Sequence, residues 1–236
     1  MSKSFVFKQF TIHQLNAAFK LGTDSVLLGC WLPANDPQNI LDIGAGTGIL
    51  SLICAQRFEG ARIKAIEIDE GSYKDLANNF TQSLWSTRLE PVHSDVLAWC
   101  ENNKNEKFDL IISNPPYFQN SLLNSNPKKS GARHNQYLGL KQLSETIGSH
   151  LSDKGSFCVV LPIHEFGTLE RYLSTEDIFP SKICILSSFE SSEPIRKLGV
   201  FKFGSQICKE EKKFIYNPDK SRSDWYKNIS AAFYLT

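Results

Sequence analysis

The stretch Asn39-Ile40-Leu41-Asp42-Ile43-Gly44-Ala45-Gly46-Thr47-Gly48-Ile49-Leu50-Ser51-Leu52 passes from an apolar strand, through alternating glycines, into an apolar helix. A Gly-rich turn in that place lets a ligand approach the backbone closely, at the amino end of the helix that follows. A dinucleotide-binding turn has the form G-x-G-x-x-G. Here the third glycine comes one residue earlier, and Asp42 precedes the first glycine by two residues.

Onward from this turn, short apolar runs alternate with amphipathic stretches, as βα units around a mostly parallel sheet require. After residues 39–43, strands are expected at Arg62 to Ile68, Leu89 to Val92, Phe108 to Ser113, Gly155 to Leu161, Lys182 to Ser188 and Leu198 to Phe203. Helices are expected at Ile49 to Gln56, through Tyr73, Leu76, Ala77 and Phe80, and near Val96 to Cys100. More follow at about Leu138 to Leu151, Phe166 to Leu173 and Ser223 to Tyr234. Residues 118–136, rich in Asn, Ser, Lys and Pro, read as a long irregular loop, which inside a domain is usually functional or mobile. No repeat or linker divides the chain, so residues 1–236 read as one domain in which about forty residues precede the first strand.

At 236 residues, with 41% apolar and 22% charged residues, the composition is that of a globular domain. The N-terminus has no signal-peptide pattern, and no apolar run approaches the roughly 20 residues of a membrane span. A cytoplasmic location without membrane association is expected. Cys30, Cys54, Cys100, Cys158, Cys184 and Cys208 form no C-x-x-C pair; small core residues are expected, with neither disulfides nor a metal site. The net charge of +1 is unevenly spread. Lys3, Lys8 and Lys20 form one acid-free stretch, and Lys128, Lys129, Arg133 and Lys141 another. A further basic cluster comprises Arg196, Lys197, Lys202, Lys209, Lys212 and Lys213. Such runs are either ordinary solvated surface or a phosphate-facing rim.

Two acids stand where the second and third strands end. Glu67 is placed to accept from two vicinal hydroxyls, with Ile68 beside it. Asp95 follows the third strand, with Val96 beside it. The alternative for Asp69 and Asp95 is a helix N-cap. The fourth strand runs into Asn114-Pro115-Pro116-Tyr117, where two prolines stiffen the turn. A structural Pro-Pro turn accounts for neither the Asn nor the Tyr. An amine nitrogen on a planar group is a poor nucleophile, because its lone pair is delocalised. The Asn114 side-chain oxygen and the Pro115 carbonyl can accept its two N–H bonds and make it more electron-rich. Tyr117 and Phe118 can stack on the planar group, with Pro116 holding the turn rigid.

Asp42 with Gly44, Ala45, Gly46 and Gly48 resembles motif I of class I S-adenosyl-L-methionine-dependent methyltransferases, in which an Asp at the place of Asp95 accepts from the cofactor's adenine amine. That resemblance implies a Rossmann-like α/β fold: a seven-stranded, mostly parallel sheet with one antiparallel strand and helices on both faces. The N-P-P-Y stretch is similar to the signature of adenine-N6 and glutamine-N5 methyltransferases. Phe7-Lys8-Gln9-Phe10, Lys20-Leu21-Gly22-Thr23-Asp24-Ser25-Val26-Leu27-Leu28-Gly29 and the C-terminal Ala231-Ala232-Phe233-Tyr234-Leu235 resemble the bacterial tRNA1(Val) adenine-N6 methyltransferases over nearly the whole chain. This resemblance implies that residues 1–38 pack over the cofactor site, with Thr23 and Asp24 at its methionine end; a helix N-cap is the other role open to both. Ala132-Arg133-His134 resembles a short stretch of that family. Arg133 is read as a phosphate or loop-closing contact, with solvated surface as the alternative, and His134 is given no chemical role. The implied substrate is an adenine of RNA, beside the anticodon of a valine tRNA. A protein glutamine is the alternative, although 41 residues before Asp42 are too few for the helical domain that grips such a substrate. A non-catalytic nucleic-acid-binding relative would have no need of Asn114, Tyr117, Glu67 and Asp95 together. Oligomeric state is not legible in the sequence.

Overall fold

Ile40, Leu41 and Ile43 are almost wholly buried, because their strand, β3 (Asn39–Ile43), is flanked by a strand on each side and covered by helices on both faces. A computed structural model describes residues 4–17, 20–33, 36–115 and 138–235. The readings of Pro116, Tyr117, Phe118, Lys128, Lys129, Arg133 and His134 lie outside the described residues.

From β3 the chain continues through α2 (Ile49–Arg57), β4 (Arg62–Glu67), α3 (Glu70–Thr81), β5 (Leu89–His93), α4 (Val96–Asn102) and β6 (Phe108–Ser113). It resumes with α5 (Leu140–His150), β7 (Leu151–Leu161), α6 (Ile163–Thr175), β8 (Ile178–Ser187), β9 (Pro194–Phe203), β10 (Lys209–Phe214) and α7 (Asp224–Ser230). Before β3 stand the hairpin strands β1 (Ser4–Val6) and β2 (Thr11–His13), then α1 (Thr23–Trp31).

The central sheet has the order β10-β8-β9-β7-β6-β3-β4-β5. Its neighbours pair in parallel except β9, which runs against both β7 and β8. The expected fold class therefore holds, with eight strands in place of seven. The additional strand is β10, Lys-Glu-Glu-Lys-Lys-Phe, which lies at the sheet edge. Charged side chains are how edge strands avoid pairing with other molecules, and they also hide the apolar signature of a strand.

Alternate residues of the inner strands feed different layers. Ile40, Ile63, Ala65, Leu110, Ile112, Cys158 and Val160 pack in one layer with α1, α2 and α3. Leu41, Ile66, Ile111, Phe157, Val159 and Leu161 pack in the other with α4, α5 and α6. Burial on both faces explains why these strands read as continuous apolar runs. All six cysteines are free thiols and four are buried; burial pushes the Cys30, Cys158 and Cys184 thiols up to about 12.

The two ends of the described chain meet. Phe7 stacks on Phe10 at 4.6 Å and on Tyr234 at 5.5 Å. The Lys8 N–H donates to the Phe233 carbonyl at 2.8 Å, and Lys8 Nζ to the Ala231 carbonyl at 2.7 Å. The last helix ends at Ser230, short of the expected Tyr234, and the chain turns so that the Phe233 N–H donates to the Ser230 carbonyl. That turn delivers Phe233, 2% exposed, into the layer shared with α1 and α2.

Candidate active site

The strand order reverses between β3, which leads to β4 and β5, and β6, which leads to β7. A crevice at the carboxyl edge of such a switch point is where open α/β sheets bind ligands. Register brings the sequence motifs there. Ile43 lies opposite both Ile66 and Ser113, and Glu67 lies opposite His93. The glycine turn, the Glu67 corner, the Asp95 corner and Asn114 thus leave the sheet side by side.

The glycine turn is held by backbone bonds. The Gly44 and Ala45 N–H groups both donate to the Ile66 carbonyl at 3.0 Å. Gly44, Gly46 and Gly48 have φ of 70°, 58° and 86°, the left-handed region that disfavours other residues. A Cβ on Gly44 or Gly46 would meet nothing within 4 Å, so the turn presents bare backbone to open space. Gly48 is different, since a Cβ there would lie 2.6 Å from Leu76 Cδ1 and 2.7 Å from Phe80 Cε1. Gly48→Ala is expected to destabilise the fold by about 2–4 kcal/mol through strain and overpacking. In thermal unfolding this is a fall of roughly 5–15 °C; an unchanged midpoint would show that the turn relaxes freely.

Two buried acids stand beside the turn. Glu67 Oε2 accepts from the Gly46 N–H at 2.7 Å, and Oε1 from the Asp69 N–H at 2.8 Å. Burial pushes the Glu67 carboxyl up from its ordinary range, against the pull of those bonds. Each carboxylate oxygen keeps a second acceptor site, so Glu67 can clamp the turn and still receive two hydroxyls. Asp42, fully buried, accepts from Ser51 Oγ at 2.7 Å on Oδ2, while Oδ1 has no partner. Burial pushes its carboxyl up to about 7. A buried carboxylate oxygen without a donor is costly unless a ligand supplies one.

Both N-cap readings hold. Asp69 caps α3 through the Ser72 N–H, and Asp95 Oδ1 caps α4 through the Leu97 and Ala98 N–H groups. Capping engages one oxygen of Asp95, and the exposed side chain still offers the other. Ile68 is 43% exposed while Val96 is buried. His93 stacks on Tyr73 at 4.8 Å and meets the Ile68 carbonyl at 3.1 Å through Nε2, tying the two corners together.

The capping role open to Thr23 and Asp24 is corrected. Gly22 is the N-cap of α1 and supplies no side-chain bond, while Asp24 Oδ2 accepts from Arg196 Nε at 2.9 Å. Asn114 is half-buried, Pro115 is buried, and Asn114 Nδ2 donates to Ser25 Oγ at 2.7 Å. Contacts from α3 also went unread in the sequence. Asn79 Nδ2 donates to the carbonyls of His13 and of Thr47, and Asn79 Oδ1 accepts from the His13 N–H. Asp75 accepts from the Asn16 and Ala17 N–H groups. Asp75 and Asn79 are almost fully buried and pin residues 13–17 to α3 next to the glycine turn. Polar residues four apart on a helix ordinarily mark its solvated face, so no sequence signal separates them.

Comparison with known proteins identifies the family. The family model described as "Methyltransferase small domain" matches residues 10–165. A Bacteroides fragilis protein named tRNA1(Val) (adenine(37)-N6)-methyltransferase is 38% identical over 231 residues, covering 98% of this chain and 97% of its own. A Flavobacterium psychrophilum protein of the same name is 35% identical over 232 residues, covering 98% and 99%. Among solved structures, a predicted O-methyltransferase of Agrobacterium tumefaciens superposes with a TM-score of 0.70 at 17% identity, over 89% of this chain and 96% of that one. The tRNA methyltransferase TrmK of B. subtilis gives 0.55 at 16% identity, over 79% and 68%. These two likenesses concern the fold. With a family model across most of its length and full-length relatives well above 30% identity, the chain belongs to the methyltransferase small-domain proteins and, among them, to the family of tRNA1(Val) (adenine(37)-N6)-methyltransferases.

Proposed function

We propose that this methyltransferase uses S-adenosyl-L-methionine to methylate N6 of an adenine in RNA, adenine 37 of a valine tRNA, in the cytoplasm. The observation that carries the reading is Asn114-Pro115 leaving β6 directly beside the bare glycine turn, at the switch point of the sheet. When bound, S-adenosyl-L-methionine supplies an electrophilic methyl group on a sulfonium. Glu67 would take the ribose hydroxyls, Asp95 the adenine amine between Ile68 and Val96, and Gly44, Ala45, Gly46 and Gly48 the close backbone approach. Asp42 would favour the ammonium group at a distance, through the charge of its buried carboxylate. Residues 1–38 would cover this site, with Thr23 and Asp24 at the methionine end. Asn114 and the Pro115 carbonyl would accept the two N–H bonds of the target amine and raise its nucleophilicity. Tyr117, Phe118 and Pro116 would hold the base, and Lys128, Lys129 and Arg133 the RNA phosphates.

The test is incubation with cofactor labelled in its methyl group, separately with total tRNA, total rRNA, DNA and protein extract. Label in tRNA, recovered as N6-methyladenosine after nuclease digestion, is the expected result. Label in protein glutamine would overturn the reading.

The Asp42 carboxyl gives a pH dependence of definite sign. An ammonium group favours the ionised carboxylate, and burial pushes the Asp42 carboxyl up to about 7. Affinity for S-adenosylhomocysteine should therefore rise by up to about tenfold per pH unit as pH increases toward 7, then level off. Asp42→Asn should flatten this profile in calorimetric titrations between pH 6 and 8. An equal slope in the variant would assign the titration elsewhere.

A further inference from the structure

Ser25 stands in the first turn of α1, far from Asn114 in sequence, yet its hydroxyl receives the Asn114 side-chain N–H at 2.7 Å. We propose that Ser25 is a positioning residue for methyl transfer, holding the Asn114 carboxamide with its nitrogen turned toward α1 and its oxygen toward the target amine. The inference rests on the function proposed above.

A carboxamide has an accepting end and a donating end, and rotation about its last torsion is soft. An amine that donates two N–H bonds needs the accepting end. A flipped Asn114 would present its own NH2 group to that amine and repel it. The Ser25 hydroxyl, which can accept or donate, holds the carboxamide in the orientation present, with Nδ2 against α1.

The first turn of α1 is anchored well enough to do this. Val26, Leu27 and Leu28 are at most 1% exposed. On one side Arg196 of β9 donates to Asp24. On the other, the Leu21 N–H donates to Gln14 Oε1 at 2.8 Å. Arg57 closes the far end of the helix by donating to the carbonyls of Gly29, Cys30 and Leu32. A small error in the placement of a reacting group costs far more rate than binding energy, so loss of one such tether should appear in turnover.

The experiment compares wild type, Ser25→Ala and Ser25→Thr by steady-state methylation of tRNA and by calorimetry with S-adenosylhomocysteine. Ser25→Ala should lower kcat about tenfold or more, with the KM for tRNA and the Kd for S-adenosylhomocysteine within about threefold. Ser25→Thr, which keeps the hydroxyl, should recover kcat to within about threefold of wild type. The positioning role is overturned by any of three results: Ser25→Ala turning over as wild type does, Ser25→Thr as impaired as Ser25→Ala, or a parallel loss of S-adenosylhomocysteine affinity, which would mark a structural role. A wild-type protein that binds S-adenosylhomocysteine but leaves tRNA unmethylated would overturn the functional reading, and this inference with it.

Discussion

Asn114→Ala is expected to lower the rate of methyl transfer by about 100–1,000-fold, the usual cost of removing one preorganised polar partner from a reacting centre. Affinity for S-adenosylhomocysteine should stay within about threefold, because the residues proposed to hold the cofactor stand on the β3, β4 and β5 corners and Asn114 follows β6. In the proposed mechanism the effect falls on turnover, because the amide oxygen would act as positive charge develops on the attacking nitrogen. Single-turnover methylation of tRNA and calorimetry separate the two quantities. Rates within about tenfold of wild type would show that the Pro115 carbonyl and the stacking residues suffice, and would end the polarisation mechanism.

Glu67→Ala should weaken S-adenosylhomocysteine binding by roughly 1–3 kcal/mol, about 5- to 150-fold, the range for hydrogen bonds to a charged group. The geometry sharpens this expectation for a second variant. Both Glu67 oxygens accept from backbone N–H groups, of Gly46 and of Asp69. A glutamine can present one oxygen; its NH2 group would face an N–H donor at under 3 Å. Glu67→Gln should therefore bind nearly as poorly as Glu67→Ala, although it keeps size and polarity. If the Gln variant bound like wild type, the corner would have to rearrange, and the clamp on Gly46 would not be needed for binding.

The sequence exposed the parts of the fold that obey short-range rules. Strands such as Phe108–Ser113 are legible because burial on both faces demands unbroken apolar residues, and the turn at Gly44-Ala45-Gly46 because positive φ demands glycine. Lys209–Phe214 was not legible, since an edge strand needs little apolar surface and gains from charge. The same division runs through the site. Asp42, Glu67, Asp95 and Asn114 announce themselves by standing at strand ends. Ser25, Asp75, Asn79 and Arg196 act across the fold, on partners far away in sequence, and a one-dimensional pattern carries no trace of such pairing. Thr23 and Asp24 show the limit of local rules from the other side. Their spacing suits an N-cap, but Gly22 takes that place while Asp24 turns to Arg196.

The meeting of Phe7 and Lys8 with residues 231–234 has a bearing on how the protein is made. Contacts across more than 200 residues form late, because the whole intervening chain must first be ordered. Phe5 and Phe7 meet the Tyr234 ring, and Lys8 the carbonyls of Ala231 and Phe233, only after the chain between them has been ordered. Until then Phe5 and Phe7 stay without the Tyr234 ring, and the strap that follows them, which Asp75 and Asn79 fasten beside the glycine turn, is held from one end. The strap beside the glycine turn should accordingly be fastened from both ends only once residues 231–234 have docked, late in folding.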